Sequence, residues 1–397
     1  MSDRSAVVVG GGIGGLAAGA ALARSGWAVR VLERAPALEP VGAGISLWPN
    51  ALRALDRLGL GDAVRAKAAF GGPMGVRRPD GRWLARLDFA DELRRRFGDP
   101  LVVLPRPELT DLLAGALPPG ALRLGAAVRS VVPGDGGGQT RVVLRDEELD
   151  DDEEVDADLV VAADGIGSLC RERLFPGHPG PAYAGYTTWR LIAELPPEAA
   201  GWETWGRDGE RFACVPMADG EVYCYATADA PAGVRHDDEL AELRRRFGDW
   251  HEPIPSILSG LTPEQVLHHD VVELRDALPT FARGRVALLG DAAHAMTPEL
   301  GQGGCLALED AVALGALLDD AAARSGDLDV ALDRYTALRL PRTTTLARRS
   351  RSAGRLNQAS SPLALGLRQL AARATALVPP RLLVRGLASV VDWSPPG

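Results

Sequence analysis

A glycine-rich turn joins two short apolar segments near the start of the chain, and it constrains the fold more than any other feature. Residues 6–9 (AVVV) form a β-branched run typical of a buried parallel strand. The alanine-rich residues 16–25 favour a helix, and residues 27–32 form a second apolar run. A strand, a helix and a strand in this order predict a βαβ unit, so we expect an α/β fold with a parallel sheet.

The turn has the glycine spacing of a dinucleotide-binding site. Gly10 permits a tight turn out of the strand, and Gly12 lets the backbone approach a pyrophosphate. Gly15 lets the helix pack closely on the strand, and the free N–H groups at the helix start attract phosphates. Glu33 ends the second strand, where a carboxylate accepts hydrogen bonds from ribose hydroxyls. An acid here favours an unphosphorylated ribose, and the turn therefore predicts FAD or NAD.

The overall composition argues against several classes of partner. The length of 397 residues is enough for about two domains, and the net charge of −9 disfavours nucleic acid and anionic membranes. Four cysteines without a CxxC pair fit a reducing, cytoplasmic setting. His268, His269 and His294 have no partners at metal-ligand spacing, so no metal site is predicted.

A second glycine turn ends another apolar strand. Asp164-Gly165 follows the run at residues 159–163, and Arg171 comes shortly after it. A plain strand-ending turn has the same pattern, so this motif alone leaves a binding role open.

A third turn is longer and leads into a strong helix. Gly290-Asp291 follows the apolar run at 286–289, and residues 298–304 (PELGQGG) precede a helix predicted at 306–323. An aspartate at a strand end hydrogen-bonds a polyol, and a glycine-rich loop that opens a helix presents N–H groups to an anion. An isoalloxazine ring that gains negative charge is such an anion, so this turn is compatible with a flavin.

The middle of the chain changes to an alternating hydrophobic pattern. Residues 188–193, 211–215 and 221–227 predict antiparallel strands with one covered face. The acidic stretch 146–156 is interpreted as a hairpin tip, and the amphipathic stretch 363–391 could cover a pocket or form a dimer contact. The predicted organisation is a discontinuous nucleotide-binding domain (1–75, 101–180 and 266–350), a substrate-binding β-sheet domain (76–100 and 181–265) and a C-terminal helical segment (351–397).

Together the three turns resemble the motifs of the class A, single-component FAD-dependent aromatic monooxygenases, which have the para-hydroxybenzoate hydroxylase fold. The similarity runs from Ala6 to about Arg349, and the segment Gly42-Ala43-Gly44-Ile45 resembles a loop beside the flavin in salicylate hydroxylase-like members. This implies a Rossmann-like FAD-binding domain of the glutathione-reductase type, interleaved with a mainly antiparallel β-sheet substrate domain, plus C-terminal helices. Cys305 stands where many members have asparagine, and we interpret it as a small residue at a helix start.

The resemblance also implies a set of cofactor contacts. Arg106, which precedes a predicted helix, matches an arginine that commonly contacts FAD. The full set predicted to contact FAD is Gly12, Ile13, Gly14, Glu33, Arg34, Gly44, Arg106, Val128, Asp164, Gly165, Asp291, Pro298, Gly301, Gly303 and Gly304. No side chain is predicted to be catalytic, because the flavin carries the chemistry while Pro298, Gly301 and Gly303 position it.

The activity implied is insertion of one oxygen atom from O2 into an aromatic or polyketide-like small molecule. NADPH or NADH would bind transiently to reduce the flavin, and a flavin C4a-hydroperoxide would transfer the oxygen. Hydroxylation is favoured, although epoxidation and Baeyer–Villiger oxidation use the same framework. The partners implied are a small-molecule substrate and O2, without nucleic acid or membrane, for a monomer or homodimer.

The alternating strands supply the candidate substrate contacts. These are Arg190, Trp205, Phe212 and Tyr225. Arg190 could bind an acidic or phenolic substrate, or it could pair with Glu194 or Glu203. Two other functions remain open, a flavin-dependent reductase or oxidase of a hydrophobic molecule and a non-catalytic FAD-binding protein. A halogenase is disfavoured because the Trp-x-Trp-x-Ile-Pro pattern is absent.

Overall fold

The computed structural model describes residues 4–38, 43–70, 72–134, 138–146, 151–194, 201–324, 328–358 and 360–396. The strands within these ranges are β1 (Ser5–Val9), β2 (Ala28–Leu32), β3 (Gly44–Leu47), β4 (Ala69–Phe70), β5 (Met74–Arg77), β6 (Trp83–Leu87), β7 (Val102–Pro105), β8 (Leu122–Arg123), β9 (Ala127–Val132), β10 (Thr140–Asp146), β11 (Asp151–Ala157), β12 (Leu159–Ala162), β13 (Ala182–Glu194), β14 (Gly201–Trp205), β15 (Arg211–Pro216), β16 (Glu221–Asp229), β17 (Leu267–Glu273), β18 (Ala282–Arg283) and β19 (Val286–Leu288).

The α-helices are distributed along the chain. They are α1 (Ile13–Arg24), α2 (Pro49–Arg57), α3 (Gly61–Lys67), α4 (Ala90–Phe97), α5 (Arg106–Gly115), α6 (Leu169–Leu174), α7 (Glu239–Phe247), α8 (Ile254–Ser259), α9 (Asp291–His294), α10 (Gly303–Arg324), α11 (Leu328–Asn357), α12 (Pro362–Thr375) and α13 (Pro380–Val391).

The predicted βαβ unit is confirmed and lies at the centre of a six-stranded sheet. The strand order is β18-β19-β12-β1-β2-β8, and β1 pairs in parallel with both β2 and β12. β19 adds to β12, also in parallel. The carboxyl ends of β1, β12 and β19 therefore meet at one edge, and each of the three glycine turns of the sequence begins there.

Two glycines make the first turn sterically possible. Gly10 has φ +106°, in the left-handed region that favours glycine. A Cβ on Gly15 would overlap the carbonyl oxygen of Gly10, so α1 packs on β1 only without a side chain there. Behind this turn, the apolar faces of α1, α10 and the sheet form the main hydrophobic core.

The alternating segments form a seven-stranded sheet with two different faces. Its order is β17-β13-β16-β15-β14-β5-β6, antiparallel except for the β14–β5 pair. One face carries Trp189, Phe212 and Cys224, which pack against α7 and α8 in a second core. Successive side chains of a strand point to opposite sides, so the residues between these face away from that core. The proposed division of the chain into domains stays a prediction; β17 hydrogen-bonds within this sheet.

The acidic stretch 146–156 differs from its interpretation as a hairpin tip. β11 begins at Asp151 and pairs along its length with β10, while residues 147–150 lie outside the described ranges. Its carboxylates remain near solvent and have arginine partners across the strands, including Arg141 with Asp156 at 2.9 Å. Exposed ion pairs across the two strands thus allow an acidic sequence of low strand propensity to form β11 beside β10.

The C-terminal segment consists of the end of α11 followed by α12 and α13. α11 continues through Pro341, and α12 and α13 follow with a bend of 113° between them. Val384, Val390 and Val391 of α13 pack with α4 in a third apolar cluster. Within the described ranges no single helix has the length and apolar character to cross a bilayer, although α12 and α13 taken together meet those two criteria.

Candidate active site

Two adjoining cavities lie between the carboxyl edge of the six-stranded sheet and the open face of the seven-stranded sheet. The first has a volume of about 570 Å³ and includes Glu33 and His269 among its lining residues. The second has a volume of about 660 Å³ and extends from Gly12 to the seven-stranded sheet. Arg106 and Arg190 line both cavities, so the two spaces join beside these arginines.

The start of α1 borders both cavities without a capping side chain. Gly12 is the N-cap residue, no side chain accepts a hydrogen bond there, and a Cβ on Gly12 would meet no atom within 4 Å. The Glu33 carboxylate is oriented by the backbone N–H groups of Gly11 (2.6 Å) and Ala35 (2.9 Å). Bare backbone amides beside open space and an oriented carboxylate fit the pyrophosphate and ribose of a dinucleotide.

Several predicted cofactor residues lie along the same walls. Those that line a cavity are Gly12, Ile13, Gly14, Glu33, Gly44, Arg106, Gly165, Asp291, Pro298, Gly301, Gly303 and Gly304. Arg34 is exposed, and Val128 packs against the main core; neither lines the two cavities. Gly42 lies outside the described residues.

The Asp164 carboxylate is used differently from the expectation of a direct contact. It accepts hydrogen bonds from the Ser168 hydroxyl at 2.6 Å and the Cys170 N–H at 3.1 Å, which hold the start of α6. The neighbouring Gly165 lines the second cavity, whereas Asp164 lines neither cavity. Arg171 is buried and donates to the carbonyl oxygens of Ile166 (2.6 Å) and Ala292 (3.1 Å). This arginine therefore ties the second turn to the third.

The 298–304 loop forms the floor of the second cavity. Gly301 has φ +60°, and a Cβ on this residue would lie 3.3 Å from the indole nitrogen of Trp48. A Cβ on Gly303 would meet nothing within 4 Å, so the backbone at the start of α10 is open to the cavity. Cys305 is buried beneath the loop, and burial raises the pKa of its thiol to about 12, so the thiol stays protonated.

A fully buried ionic cluster supports the loop from behind. Arg339 donates to Asp310 at 2.6 Å and to Glu309 at 2.7 Å, and His294 contacts Asp310 at 2.6 Å. Asp310 also accepts the N–H of Gly290 at 3.0 Å, which fixes the third turn. Burial raises the pKa of Asp310, but the charges of His294 and Arg339 outweigh this and bring it to about 2.

The open face of the seven-stranded sheet carries a second ionic cluster. Arg211 donates two hydrogen bonds to Glu299, at 2.9 and 2.8 Å, and one to Glu203 at 3.1 Å. Glu299 also accepts from Tyr186 and Asn357, each at 2.7 Å. Because Glu299 belongs to the 298–304 loop, the cluster connects the sheet, the loop and α11.

The ionised form of this cluster is strongly favoured. Burial raises the pKa of Glu299, but Arg211 and the hydroxyl and amide donors outweigh it and lower the pKa below its ordinary value. Burial would lower the pKa of Arg211, yet Glu203 and Glu299 raise it overall. Burial and the Glu203 charge raise the pKa of the Tyr225 phenol well above its usual range. The Tyr225 hydroxyl lies 3.4 Å from Glu203 and therefore stays a proton donor.

The structure separates the four predicted substrate residues. Arg190 and Tyr225 line the second cavity, on neighbouring positions of β13 and β16. Arg190 forms no ion pair with Glu194 or with Glu203, whose partner is Arg211. Within the described ranges, neither Arg190 nor Arg106 pairs with a carboxylate.

Phe212 and Trp205 are corrections to the prediction. Phe212 is completely buried on the opposite face, against Trp202 and Phe247, because strand alternation turns it away when Arg211 faces the cavity. Trp205 lies at the end of β14 with the guanidinium of Arg368 at 5.1 Å from its ring centre, outside the lining of both cavities.

Sequence reasoning missed several other residues that line the second cavity. They are Glu203, Arg211, Glu299 and Asn357, together with Tyr223 and the apolar Leu387, Val390 and Val391 of α13. One signal for Arg211 was available, because a charged residue next to a phenylalanine in an alternating strand must face the other side. No metal-binding group of three or more His, Cys, Asp or Glu residues occurs in the part of the chain that the structure describes.

Comparisons with known proteins agree with this arrangement. Residues 3–350 match the model of a family described as FAD binding domain. The chain is 37% identical to the aurachin C monooxygenase/isomerase of Stigmatella aurantiaca over 367 residues, which cover 91% of this chain and 92% of that protein. It is 34% identical to the FAD-dependent urate hydroxylase of Klebsiella oxytoca over 358 residues, 87% of this chain and 88% of that protein.

Solved structures give the same result. Klebsiella pneumoniae HpxO complexed with FAD and uric acid superposes with a TM-score of 0.88 at 28% identity, covering 99% of this chain and 98% of that one. A salicylate hydroxylase substrate complex superposes with a TM-score of 0.77 at 24% identity, covering 99% of this chain and 96% of that one, which supports the fold.

Proposed function

This chain belongs to the FAD binding domain family and is an FAD-dependent monooxygenase, and from this premise we propose that it hydroxylates a ring-containing small molecule with NADH or NADPH and O2. The observation that carries the proposal is the continuous cavity from Gly12 and the 298–304 loop to the Arg211–Glu203 face of the sheet. Its volume of about 660 Å³ is in the range of small-molecule sites. One end would hold the cofactor, and the other would hold the substrate.

FAD, when bound, supplies the redox chemistry and the activation of O2. The bare amides of Gly12, Ile13 and Gly14 would hold its pyrophosphate, and Glu33 its ribose. The backbone of Gly301 and Gly303 would lie along the flavin, where N–H groups at a helix start favour negative charge. Asp291 lines both cavities and is placed to accept hydrogen bonds from the ribityl chain.

Glu203 would orient the substrate and hold its proton. Its carboxylate is already held by Arg211 and Tyr225, is only partly exposed, and keeps further lone pairs for a ligand in the cavity. It would accept an O–H or N–H from a phenol or a nitrogen heterocycle. A proton drawn toward this carboxylate leaves the ring richer in electrons, which favours attack on an electrophilic oxygen. We therefore favour a substrate whose ring carries an O–H or N–H group, as urate does, the compound in the name of the related urate hydroxylase.

The nicotinamide cofactor would bind beside FAD, near Arg106 and Arg190, because FAD itself would pass through the junction of the two cavities. Arg106 and Arg190 both line this space, neither forms an ion pair with a carboxylate of the described residues, and His269 lies on the same wall. Burial and the neighbouring Arg190 lower the pKa of Arg106, and burial and Arg190 also lower the pKa of His269. Two guanidinium groups that repel each other are stabilised by phosphate groups between them. In this proposal the reductant binds for its reaction and then leaves.

A turnover assay tests the function. The purified yellow protein would be mixed with NADH or NADPH and a panel of phenols and nitrogen heterocycles under labelled O2. We expect one compound to stimulate NAD(P)H oxidation and to gain one labelled oxygen atom. Product formation without O2 would instead establish a reductase, and the absence of any stimulated turnover or flavin reduction would favour a binding protein.

A further inference from the structure

The C-terminal part of this acidic protein is strongly basic. Residues 334–391 contain eleven arginines and no aspartate or glutamate, although the whole chain carries a net charge of −9. Some of these arginines are used inside the protein, such as Arg339 and Arg342 with Glu309. Others are exposed and have no carboxylate partner within the described ranges; these are Arg348, Arg349, Arg355, Arg373, Arg381 and Arg385.

α12 presents its apolar side to solvent instead of to the protein. Leu363, Leu367 and Leu370 have the i, i+4, i+7 spacing of one helix face and are 75%, 57% and 62% exposed. The opposite face is buried through Arg368, which donates to two backbone carbonyl oxygens, and Ala372. The helix is therefore anchored by its polar contacts and leaves its leucines without a partner.

The apolar surface continues beyond α12 and is flanked by charge. Leu377, after the end of α12, is 85% exposed, and Leu382 of α13 is 50% exposed. Arg381 and Arg385 lie on the exposed side of α13, while Val390 and Val391 on its other side line the second cavity. α13 thus separates the outer surface from the cavity by the width of one helix.

We propose that α12 and the start of α13 dock the protein on an anionic membrane surface. The leucines would enter the boundary between headgroups and acyl chains, as apolar faces of interfacial helices do. The arginines would lie against the lipid phosphates, which attract each basic residue near the surface. The expectation from net charge that the chain avoids membranes overlooks this segregation of its arginines.

The distribution of charge favours a lipid surface over a second copy of the chain. In a twofold dimer the same patch meets itself, so Arg373, Arg381 and Arg385 would lie near their own copies, and residues 334–391 contain no aspartate or glutamate to pair with them. An anionic bilayer offers both an apolar layer for the leucines and an opposite charge for the arginines that flank them.

The test is co-sedimentation of the FAD-loaded protein with vesicles, measured without substrate so that it does not depend on turnover. One set of vesicles contains phosphatidylcholine alone, and the other contains phosphatidylcholine and phosphatidylglycerol in equal parts. We expect binding to the anionic set only, weakening as salt is raised. The triple variant Leu363→Ser, Leu367→Ser and Leu370→Ser should bind about 100-fold more weakly, because each removes apolar burial.

A second variant tests the contribution of the arginines to binding, and a matched control tests whether any loss of exposed apolar residues has the same effect. Arg373→Gln with Arg381→Gln and Arg385→Gln should lower binding by about 100-fold at low salt and leave FAD content unchanged. Leu124→Ser with Val132→Ser changes exposed apolar residues outside this surface and should bind like the wild type. Absent binding to anionic vesicles, or equal binding by the leucine variant, overturns the proposal. A vesicle-independent dimer that the leucine variant dissociates would assign the surface to a second copy.

Discussion

Two arginines of this molecule each lie between two carboxylates, yet their surroundings differ. Arg339 of α11 holds Glu309 and Asp310 of α10 in a fully buried cluster that lines neither of the two cavities. Arg211 of β15 holds Glu203 of β14 and Glu299 of the 298–304 loop, and all three line the second cavity. The same combination of one arginine and two carboxylates thus serves two purposes. The closed cluster joins two helices, and the open cluster keeps lone pairs available for a ligand.

The difference shows why an ion pair alone does not indicate function. Both arginines have a raised pKa, and both clusters contain a carboxylate with a lowered pKa. What distinguishes the open cluster is the space beside Glu203. Three variants test this contrast, and substitution in the closed cluster should lower stability the most.

Arg339→Leu should destabilise the protein most. The change leaves Glu309 and Asp310 buried with fewer opposite charges, and breaking a buried pair in this way costs about 3–5 kcal/mol of unfolding free energy. Urea unfolding at neutral pH measures the loss. Arg348→Leu, at an exposed position of the same helix, is the matched control and should change stability by less than about 0.5 kcal/mol. Equal effects of the two changes would mean that the closed cluster does not stabilise the fold.

Glu299→Gln should have an intermediate effect that depends on pH. At pH 7 the variant should be less stable by about 2 kcal/mol, because it loses charge-assisted hydrogen bonds with Arg211. The folded-state pKa of Glu299 is lowered, so its contribution is complete above the ordinary glutamate value and disappears as the pH falls through the folded-state pKa. Wild type and variant should therefore converge in acid, as measured by urea midpoints from pH 7 downward. A gap that stays constant with pH would contradict this assignment.

Glu203→Gln should have the smallest effect on stability and a visible effect on substrate binding. The amide keeps the shape but accepts an O–H or N–H less strongly, so KM for the substrate should rise by about tenfold. The rate of flavin reduction by NAD(P)H should not change, because Glu203 does not line the first cavity. Phe212→Leu on the opposite face is the contrasting variant, with reduced stability and an unchanged KM. An unchanged KM in Glu203→Gln would place the substrate elsewhere.

The nucleotide side of the molecule was largely predictable from the sequence. The first βαβ unit, its glycines and the helix after the 298–304 loop all appear where they were expected, because a turn with positive φ or close packing leaves a local requirement for glycine. Gly10 and Gly15 satisfy such requirements through neighbours in the same turn or at the end of the adjacent strand, and Gly290 combines a φ of +60° with close approach to Ala307 of α10. Their assignment as parts of an FAD site stays a prediction for ligand-bound work to test.

The substrate side was less predictable because it depends on contacts between distant segments. Glu299 and Arg211 are 88 residues apart, and no local pattern pairs them. The alternation of β15 was visible, but which of its faces meets the cavity depends on where α7 and α8 pack. The sequence pattern favours Phe212 as an aromatic contact, but its neighbour Arg211 is the residue that faces the cavity. The aromatic residue fills the core, and the charged residue reaches the site.

This alternation has a consequence for how the protein can be altered. A single inserted or deleted residue in β15 would exchange its two faces, sending Phe212 into the cavity and Arg211 into the core. Point substitutions at Arg211, Val215 or Tyr225 change the cavity wall and leave the other face intact. A library meant to shift the range of compounds accepted should therefore vary residue identity in these strands and keep their length constant.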